Sequence, residues 1–535
     1  MHTQEKSVGT TLALLLLSTA LARGAAADLQ VRIDSGILEG MNGTRPGVRV
    51  FEGIPFAAPP VGNLRWSEPR PVAPWAGVRT ATEFGPRAMQ GRIFSDMIFR
   101  DKGPSEDCLY LNVWTPSTGA GDRLPVMVWI YGGGLRAGSS SEPRQDGGDL
   151  TRKGVVVVSM NYRLGIFGFF SHPELSRESG HGSGNYGLMD QIAALEWVRR
   201  NIAAFGGDPG NVTIFGESAG SSSVCALVAS PRARGLFQKA IGESGSILGV
   251  KGRSERVETL SAAEKDGLAF AEKIGAKSLA ELRAVPADAL LKAASDDRSF
   301  ETRIVVDGYV LPANANTIYG DGSQAHVPLL AGWNADEQRV YSTFGTKRPT
   351  AMSFAEDVRR RFGDASGEAL RLYPAATDAQ AVRSAGDLAG DESMCGMWKW
   401  FELHLKTGGS PVFRYQFDRA VPVAPDTVVN GSPATGADVG AVHASEISYV
   451  FGTLAAKVGV VSQPEDWRLS DTIGTYWTNF AKTGNPNGEG MPVWPSYDKA
   501  GGYEVMHLDI NVAPAPDSHR DRLEFWDSKP GSPRS

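Results

Sequence analysis

Three short apolar runs in the middle of the chain constrain its fold more than any other feature. They span residues 126–131, 155–158 and 212–215. Continuous apolar runs of this kind are typical of strands that are buried on both faces of a mainly parallel sheet. The stretch between the second and third runs, residues 186–202, predicts an amphipathic helix. Strands separated by helices and long loops indicate βαβ units, and the sequence therefore predicts an α/β fold.

Composition excludes several other classes of protein. Of the 535 residues, 41% are hydrophobic and 21% are charged, which is ordinary for a globular protein and excludes a disordered chain, a collagen or a coiled coil. The net charge of −6 shows no basic excess, so nucleic acid is not an expected partner. Three cysteines are too few for a disulfide scaffold or a zinc-finger array. The length allows about three to four domains or one large α/β domain.

The amino terminus resembles a targeting segment. Residues 12–22 are nearly all apolar but too few to span a bilayer, and an A-x-A-like cleavage site follows at residues 23–27. We expect residues 1–27 to be a signal peptide and the mature protein to begin at Asp28, although a buried amino-terminal helix is the alternative. No later segment offers 18 consecutive apolar residues, so we expect no membrane anchor and a secreted or periplasmic location.

Two segments between residues 255 and 300 have the pattern of a capping box. Ser261 precedes Glu264 by three residues, and Ser278 precedes Glu281 by the same interval. This spacing is typical of helix amino termini, because the serine side chain and the glutamate each bind a backbone N–H group. The sequence therefore predicts helices laid over the sheet in this region.

The third apolar run leads directly into GESAG at residues 216–220, and a helix-compatible stretch follows at 221–229. G-x-S-x-G between a strand and a helix is the nucleophile elbow, in which a sharp turn exposes the serine hydroxyl. Glycines are needed two residues before and two residues after the serine, because side chains at these positions would collide with the neighbouring strand or helix. The pattern favours Ser218 as a nucleophile, and the alternative is a tight turn without chemistry.

A second glycine-rich turn ends the first apolar run. Residues 131–134 are YGGG, and consecutive glycines allow backbone N–H groups to point at a tetrahedral oxyanion without obstruction by a Cβ atom. The N–H group of Ala219, which follows the candidate nucleophile, would be a further donor. The sequence therefore predicts an oxyanion hole here, and a flexible glycine loop is the alternative.

The base and the acid are not fixed by spacing. In this arrangement the order along the chain is serine, acid, histidine, so the base must lie well after Ser218. Five histidines satisfy that condition: His326, His404, His443, His507 and His519. For the acid, a strand-like stretch at 327–331 is followed by Asp336 and Glu337, which composition cannot separate.

Several further motifs occur in one order along the chain. They are FEGIPFA at 51–57, LRW at 64–66, EDCLYLNV at 106–113, NYR at 161–163, GNYG at 184–187, FGGDP at 205–209, YW at 476–477 and GNP at 484–486. Together with the elbow and the glycine turn, these motifs resemble the type-B carboxylesterase family, which also holds the cholinesterases. The resemblance covers almost all of residues 28–535. It implies an α/β-hydrolase fold with a large, mostly parallel twisted sheet and helical insertions.

The resemblance also implies a role for particular residues. Glu337 corresponds to the acid of the family's Asn-x-Asp-Glu stretch, and His443 corresponds to its base. The implied oxyanion donors are Gly133, Gly134 and Ala219. Three more residues resemble a supporting polar network around the histidine, for which ordinary buried hydrogen bonding is the alternative: Glu217, Ser244 and Glu446.

The reaction implied is hydrolysis of a small-molecule carboxylic ester through an acyl-enzyme on Ser218. A carbamate or amide hydrolase with the same residues is the first alternative, and a non-catalytic adhesion or interaction protein of the family is the second. No metal or cofactor is expected, since no histidine or cysteine cluster has ligand spacing. An unperturbed imidazole titrates near pH 6.5, so we expect activity to rise between about pH 6 and 7.5.

The chain departs from the family pattern in its first cysteine loop. Ala88 stands where the family places the partner of Cys108, so that disulfide is absent. No tryptophan lies between residues 88 and 108, where the cholinesterases place their cation-binding aromatic residue, and a choline ester is therefore not favoured. We expect Cys108, Cys225 and Cys395 to be free thiols and the loop 88–108 to be more mobile than in relatives that keep the disulfide.

Overall fold

The computed structural model describes residues 29–117, 119–249, 257–297, 299–339, 348–429, 431–457 and 459–528. The expected signal peptide, Asp28 and the last seven residues lie outside this described part of the chain.

A large mixed sheet occupies the centre of the molecule. Eleven strands belong to it among the described residues, and parallel pairing joins seven neighbouring strands while antiparallel strands complete both edges. From edge to edge they are Ala513–Pro516, Glu504–Leu508, Val412–Phe417, Leu329–Asn334, Lys239–Glu243, Gly207–Glu217, Leu124–Ile130, Val156–Met160, Tyr110–Thr115, Arg49–Pro55 and Met41–Asn42. This is the mostly parallel sheet that the sequence predicts.

The three apolar runs form adjacent strands at the middle of this sheet. Val128 lies opposite Val158 on one side and Ile214 on the other, and all three side chains are fully buried. Burial on both faces explains why these strands show continuous apolar runs rather than alternation. We call Gly207–Glu217 the elbow strand, because it leads directly to Ser218.

Helices cover both faces of the sheet and build the rest of the molecule. Among the residues that the structure describes, the α-helices are Gly148–Thr151, Gly165–Phe169, Pro173–Ser179, Tyr186–Asn201, Ala219–Ala229, Leu260–Lys273, Leu279–Ala284, Ala287–Asp296, Ala315–Gly320, Ala351–Phe362, Ser366–Leu372, Asp378–Thr407, Gly436–Val439, Ile447–Phe451, Pro464–Thr483 and Arg520–Ser528. Shorter strands pair outside the main sheet: Gln30–Ile33 with Gly36–Glu39 and Val78–Thr80, Arg87–Ala88 with Pro104–Ser105, Val257–Thr259 with Ile304–Val306, and Val428–Val429 with Ser432–Pro433. No helix in the described part combines the length and apolar character needed to cross a bilayer.

The helix predicted at 186–202 is present as Tyr186–Asn201, but it is not amphipathic. Most of its residues are buried, including polar ones, and only its last turn carries exposed arginines. The reason is a buried ion pair, in which Arg163 donates to both carboxylate oxygens of Asp190 at 2.7 and 2.8 Å. Because Arg163 neutralises the Asp190 carboxylate inside the protein, this polar side chain of the helix can be buried rather than exposed to water.

The two predicted capping boxes have different outcomes. Ser278 does precede its helix and accepts a hydrogen bond from the Glu281 N–H at 3.2 Å. The Glu281 carboxylate, however, accepts from the Lys277 N–H at 2.8 Å rather than from the Ser278 N–H, so only half of the predicted box is present. Ser261 does not: its helix begins earlier, and Thr259 accepts from the Ala262 N–H at 3.3 Å. The prediction for Ser261 was therefore wrong by one half-turn, because a threonine two residues upstream offers the same hydroxyl to the helix terminus.

All three cysteines lie in the described part, where each is buried and none forms a disulfide, as the sequence predicts. Cys108 follows the short pair formed by Arg87–Ala88 and Pro104–Ser105. Two backbone strands thus hold together the ends of the segment between residues 88 and 104. Greater mobility of that segment stays a prediction.

Candidate active site

Ser218 lies at the turn between the elbow strand and the helix Ala219–Ala229. Its backbone angles, φ 55° and ψ −120°, fall in a region that residues other than glycine rarely adopt. A Cβ atom on Gly220 would lie 2.0 Å from the Ile130 carbonyl oxygen, and one on Gly216 would lie 2.6 Å from the same atom. The elbow therefore needs glycine on both sides of the serine, for the steric reason that the sequence suggests.

Three side chains from separate segments form one line of hydrogen bonds. The His443 Nε2 atom lies 2.9 Å from the Ser218 Oγ atom, and the His443 Nδ1 atom lies 2.6 Å from Glu337 Oε2. The second oxygen of Glu337 accepts from the Asn334 N–H at 2.9 Å, so the carboxylate has a fixed orientation. This is the geometry of a nucleophile, a base and an orienting acid.

The structure separates the candidates that spacing leaves open. Asp336 accepts a hydrogen bond from the Ala441 N–H at 2.9 Å and thereby fixes the loop that carries His443, whereas Glu337 contacts the imidazole itself. The other candidate bases have partners elsewhere. His326 and His404 bind backbone carbonyls, and His507 and His519 bind aspartates. Within the described chain none of them hydrogen-bonds to Ser218.

The glycine turn at residues 131–134, here called the glycine loop, packs directly against the nucleophile. A Cβ atom on Gly132 would lie 3.0 Å from the Ser218 Cβ atom. Gly133 and Gly134 have positive φ angles of 101° and 65°, and the Gly133 carbonyl accepts from the Ala137 N–H at 3.1 Å. In the described part of the chain nothing accepts a hydrogen bond from the N–H groups of Gly133 and Gly134. Both donors are therefore available to a ligand.

Buried carboxylates surround the histidine. Glu217, at the end of the elbow strand, places its Oε1 atom 3.2 Å from His443 Nε2 and is 3% exposed. Glu446 is also buried and binds the Asn334 side-chain amide at 2.6 Å, so it reaches the histidine only indirectly. Burial raises the pKa of both carboxyl groups, because water no longer stabilises the charged form.

The carboxylates also act on the imidazole. The His443 side chain is 38% exposed, and its partial loss of hydration by itself lowers its pKa. The negative charges of Glu217 and Glu337 outweigh this effect and raise the pKa above its ordinary value. The pH range expected from the sequence uses the pKa of an unperturbed imidazole, because charged neighbours from other segments are not visible in a linear pattern.

Sequence reasoning missed one member of this group. Glu243 ends the strand next to the elbow strand, directly opposite Glu217, and accepts from the Trp477 indole N–H at 2.8 Å. Burial, followed by the charge of Glu446, raises the pKa of its carboxyl group. The register between the two strands would have placed Glu243 beside Glu217, but the sequence of one strand does not specify its register with the next. Its neighbour Ser244 is buried, and its hydroxyl has no hydrogen-bond partner among the described residues, so it forms no hydrogen bond with His443.

Comparison with known proteins agrees with this geometry. The model of the carboxylesterase family matches residues 27–526. The chain belongs to the carboxylesterase family. The prediction of an ester hydrolase with an α/β-hydrolase fold is thereby confirmed, and the substrates of such an enzyme are small esters. Of the described residues, no group of three or more histidines, cysteines, aspartates or glutamates is arranged to hold a metal ion.

Individual relatives of this carboxylesterase match it over nearly their whole length. A fumonisin B1 esterase of Sphingopyxis macrogoltabida is 37% identical over 517 residues, which cover 93% of this chain and 90% of the relative. A para-nitrobenzyl esterase of Bacillus subtilis is 36% identical, with 91% and 96% covered. The crystal structure of a Geobacillus stearothermophilus carboxylesterase superimposes with a TM-score of 0.76 at 32% identity and covers 93% of this chain and 100% of its own.

Proposed function

We propose that the enzyme hydrolyses carboxylic esters through an acyl-enzyme on Ser218. The observation that carries the proposal is the continuous line of hydrogen bonds from Ser218 through His443 to Glu337, with distances of 2.9 and 2.6 Å. A serine hydroxyl is a weak nucleophile by itself, and an adjacent imidazole that removes its proton makes it reactive.

In the first half of the reaction, Ser218 Oγ attacks the ester carbonyl carbon while His443 Nε2 takes the hydroxyl proton. Glu337 accepts a hydrogen bond from the Nδ1–H group, holds the imidazole in the required tautomer and stabilises its charged form. Collapse of the tetrahedral intermediate breaks the bond to the alcohol, and His443 returns its proton to that leaving group.

Backbone N–H groups of Gly133, Gly134 and Ala219 stabilise the oxyanion. The first two come from the glycine loop, which contacts Ser218, and their donors are not used within the described chain. The third belongs to the first residue of the helix that follows Ser218, where N–H groups have no intrahelical partner. Fixed donors of this kind stabilise developing charge without reorganising during the reaction.

In the second half, water attacks the acyl-enzyme with His443 again as the base, and the carboxylic acid is released. Carbamates and amides would follow the same path. A carbamoyl-enzyme would release its product more slowly, so a panel of matched esters, carbamates and amides separates these alternatives.

The direct test is Ser218→Ala, assayed on a panel of para-nitrophenyl and alkyl esters. Removing the nucleophile leaves only binding and oxyanion stabilisation, so kcat should fall by about three orders of magnitude or more. Ser222→Ala is the matched control: Ser222 lies one turn further along the same helix, and its hydroxyl donates a hydrogen bond to the Ser246 carbonyl at 3.2 Å rather than to the triad. A Ser218→Ala enzyme that keeps more than about a tenth of its activity rules out the mechanism, and the non-catalytic alternative requires no activity in the unmodified protein.

We also propose that the enzyme is exported and that residues 1–27 are removed. Support comes from the apolar stretch at 12–22 and the small-residue site before Asp28. Amino-terminal sequencing of protein recovered from the periplasm or medium tests this proposal. Asp28 as the first residue supports it, whereas retention of residue 1 on protein that stays in the cytoplasm contradicts it.

A further inference from the structure

A cavity of about 250 Å³ lies beside the glycine loop. Its wall consists of Ala137 and side chains from one segment of the chain, residues 87–99. Gln90 fixes this segment to the protein, because its side chain accepts from the Gly138 N–H at 2.9 Å and donates to the Gly138 carbonyl at 2.7 Å. The cavity wall is thus anchored just after the glycine loop.

Two neighbouring glycines of the glycine loop contact the cavity wall and the nucleophile, respectively. A Cβ atom on Gly133 would be 3.2 Å from the Met97 Cε atom and 2.1 Å from the Ala137 carbonyl oxygen, and both of those residues line the cavity. A Cβ atom on Gly132 would be 3.0 Å from the Ser218 Cβ atom. The cavity wall and the nucleophile therefore both contact the glycine loop.

Two arginines line the cavity, but they differ in their partners. Arg87 binds Asp101 at 2.5 Å and stacks over the Phe99 ring at 4.9 Å, so its charge is compensated. The same Asp101 carboxylate is buried and also accepts from Ser139 and Ser141, at 2.9 and 2.6 Å. Arg87 is therefore a fixed part of the wall.

Arg92 is exposed, and no residue in the described part of the chain forms a hydrogen bond or ion pair with it. Asp96, on the same segment, is paired with Arg144 at 3.5 Å instead. The cavity therefore carries one uncompensated positive charge, although the chain as a whole has a net charge of −6. Apolar side chains form part of the wall beside Arg92: Ile93 and Phe94 are 42% and 41% exposed.

We propose that this cavity binds a carboxylate on the ester substrate and that Arg92 is the specificity-determining residue. An apolar arm that ends in a carboxylate fits the wall, because the arm contacts Ile93, Phe94 and Met97 while the guanidinium group binds the anion. This inference rests on the proposed function of Ser218, since it concerns the substrate of the same site.

The test compares substrates that differ only in charge. One pair is the para-nitrophenyl esters of adipic acid and of adipamic acid, in which a carboxylate is exchanged for a carboxamide on the acyl side. The second pair, the acetates of ω-hydroxyhexanoic acid and of its amide, places the same exchange on the alcohol side. The quantity measured is the ratio of kcat/KM for the charged and neutral members of each pair.

In Arg92→Gln we expect this ratio to fall about fivefold for one pair, while kcat/KM for the neutral esters stays within twofold of the unmodified enzyme. A partly exposed ion pair accounts for an effect of that size, and added salt should reduce the preference because it screens the charge. Arg32→Gln is the control, since Arg32 is an exposed arginine on the strand Gln30–Ile33 and does not line the cavity.

An Arg92→Gln enzyme whose ratios match those of the unmodified enzyme for both pairs overturns the inference, as does an equal loss on charged and neutral esters. Failure of the proposed function has a different signature, namely activity on the neutral esters that survives Ser218→Ala.

Discussion

Replacing Glu217 by glutamine should move the acidic limb of the pH profile of kcat/KM to lower pH. His443 acts as a base only when it is neutral, so activity falls as the pH drops through its pKa. The charge of Glu217, 3.2 Å from the Nε2 atom, favours the protonated imidazole and raises that pKa. Glutamine keeps the size of the side chain but removes the charge, and the pKa of His443 should therefore fall.

The size of the effect follows from the distance. Two unit charges 3.2 Å apart interact by about 5 kcal/mol at an effective dielectric constant of about 20, which corresponds to roughly 4 pKa units. Two features reduce this value: the His443 side chain is 38% exposed, so solvent screens the interaction, and burial raises the pKa of Glu217, so its carboxyl group is only partly charged. We expect the acidic limb to move by about 1 to 3 pH units.

The assay is the pH dependence of kcat/KM on a neutral para-nitrophenyl ester, because this parameter reports groups of the free enzyme. Glu52→Gln is the matched control: burial raises the pKa of Glu52 to about 7, but it is not among the charges that act on His443. An acidic limb that stays within about 0.3 pH units in Glu217→Gln would show that Glu217 does not set the pKa of the base. The unmodified enzyme should also gain activity at higher pH than the range of 6 to 7.5 expected for a free imidazole.

Three further predictions concern stability and redox state. Asp190→Ala should lower the free energy of unfolding by about 3–5 kcal/mol in chemical denaturation, because Arg163 is left as an uncompensated buried charge, whereas Asp357→Ala, at the exposed ion pair with Arg360, should cost less than about 1 kcal/mol. Gly220→Ala should abolish activity and lower the melting temperature, because the new Cβ atom would lie 2.0 Å from the Ile130 carbonyl oxygen; a variant with normal activity would disprove the steric account of the elbow. Thiol titration of the denatured, unreduced protein should find three reactive groups, and one would reveal a disulfide.

The fold could be predicted from the sequence to the extent that local patterns determine it. Apolar runs mark the central strands, and glycines flank Ser218, because burial on both faces and close backbone packing each restrict the residue types allowed. The base could not be chosen in this way. His443 lies 225 residues from Ser218, and five histidines satisfy the order along the chain. The resemblance to a family, rather than spacing, selected it.

Contacts between strands account for most of what the sequence did not reveal. Glu217 and Glu243 lie opposite each other only because of the register of two parallel strands, and no local pattern specifies that register. The raised pKa of His443 follows from the same arrangement, since its charged neighbours come from different segments. Likewise, the helix Tyr186–Asn201 looks amphipathic in isolation, and its polar residue Asp190 is buried because Arg163 lies beside it.

Covalent labelling tests the central claim most directly. The enzyme is treated with a fluorophosphonate ester, which reacts with activated serine hydroxyl groups, and its intact mass and peptide masses are measured alongside residual activity. We predict one adduct per chain, on Ser218, with a loss of activity in proportion to labelling and no adduct in Ser218→Ala. An adduct on a different residue that accompanies inactivation, or full activity in a protein labelled on Ser218, would contradict the account.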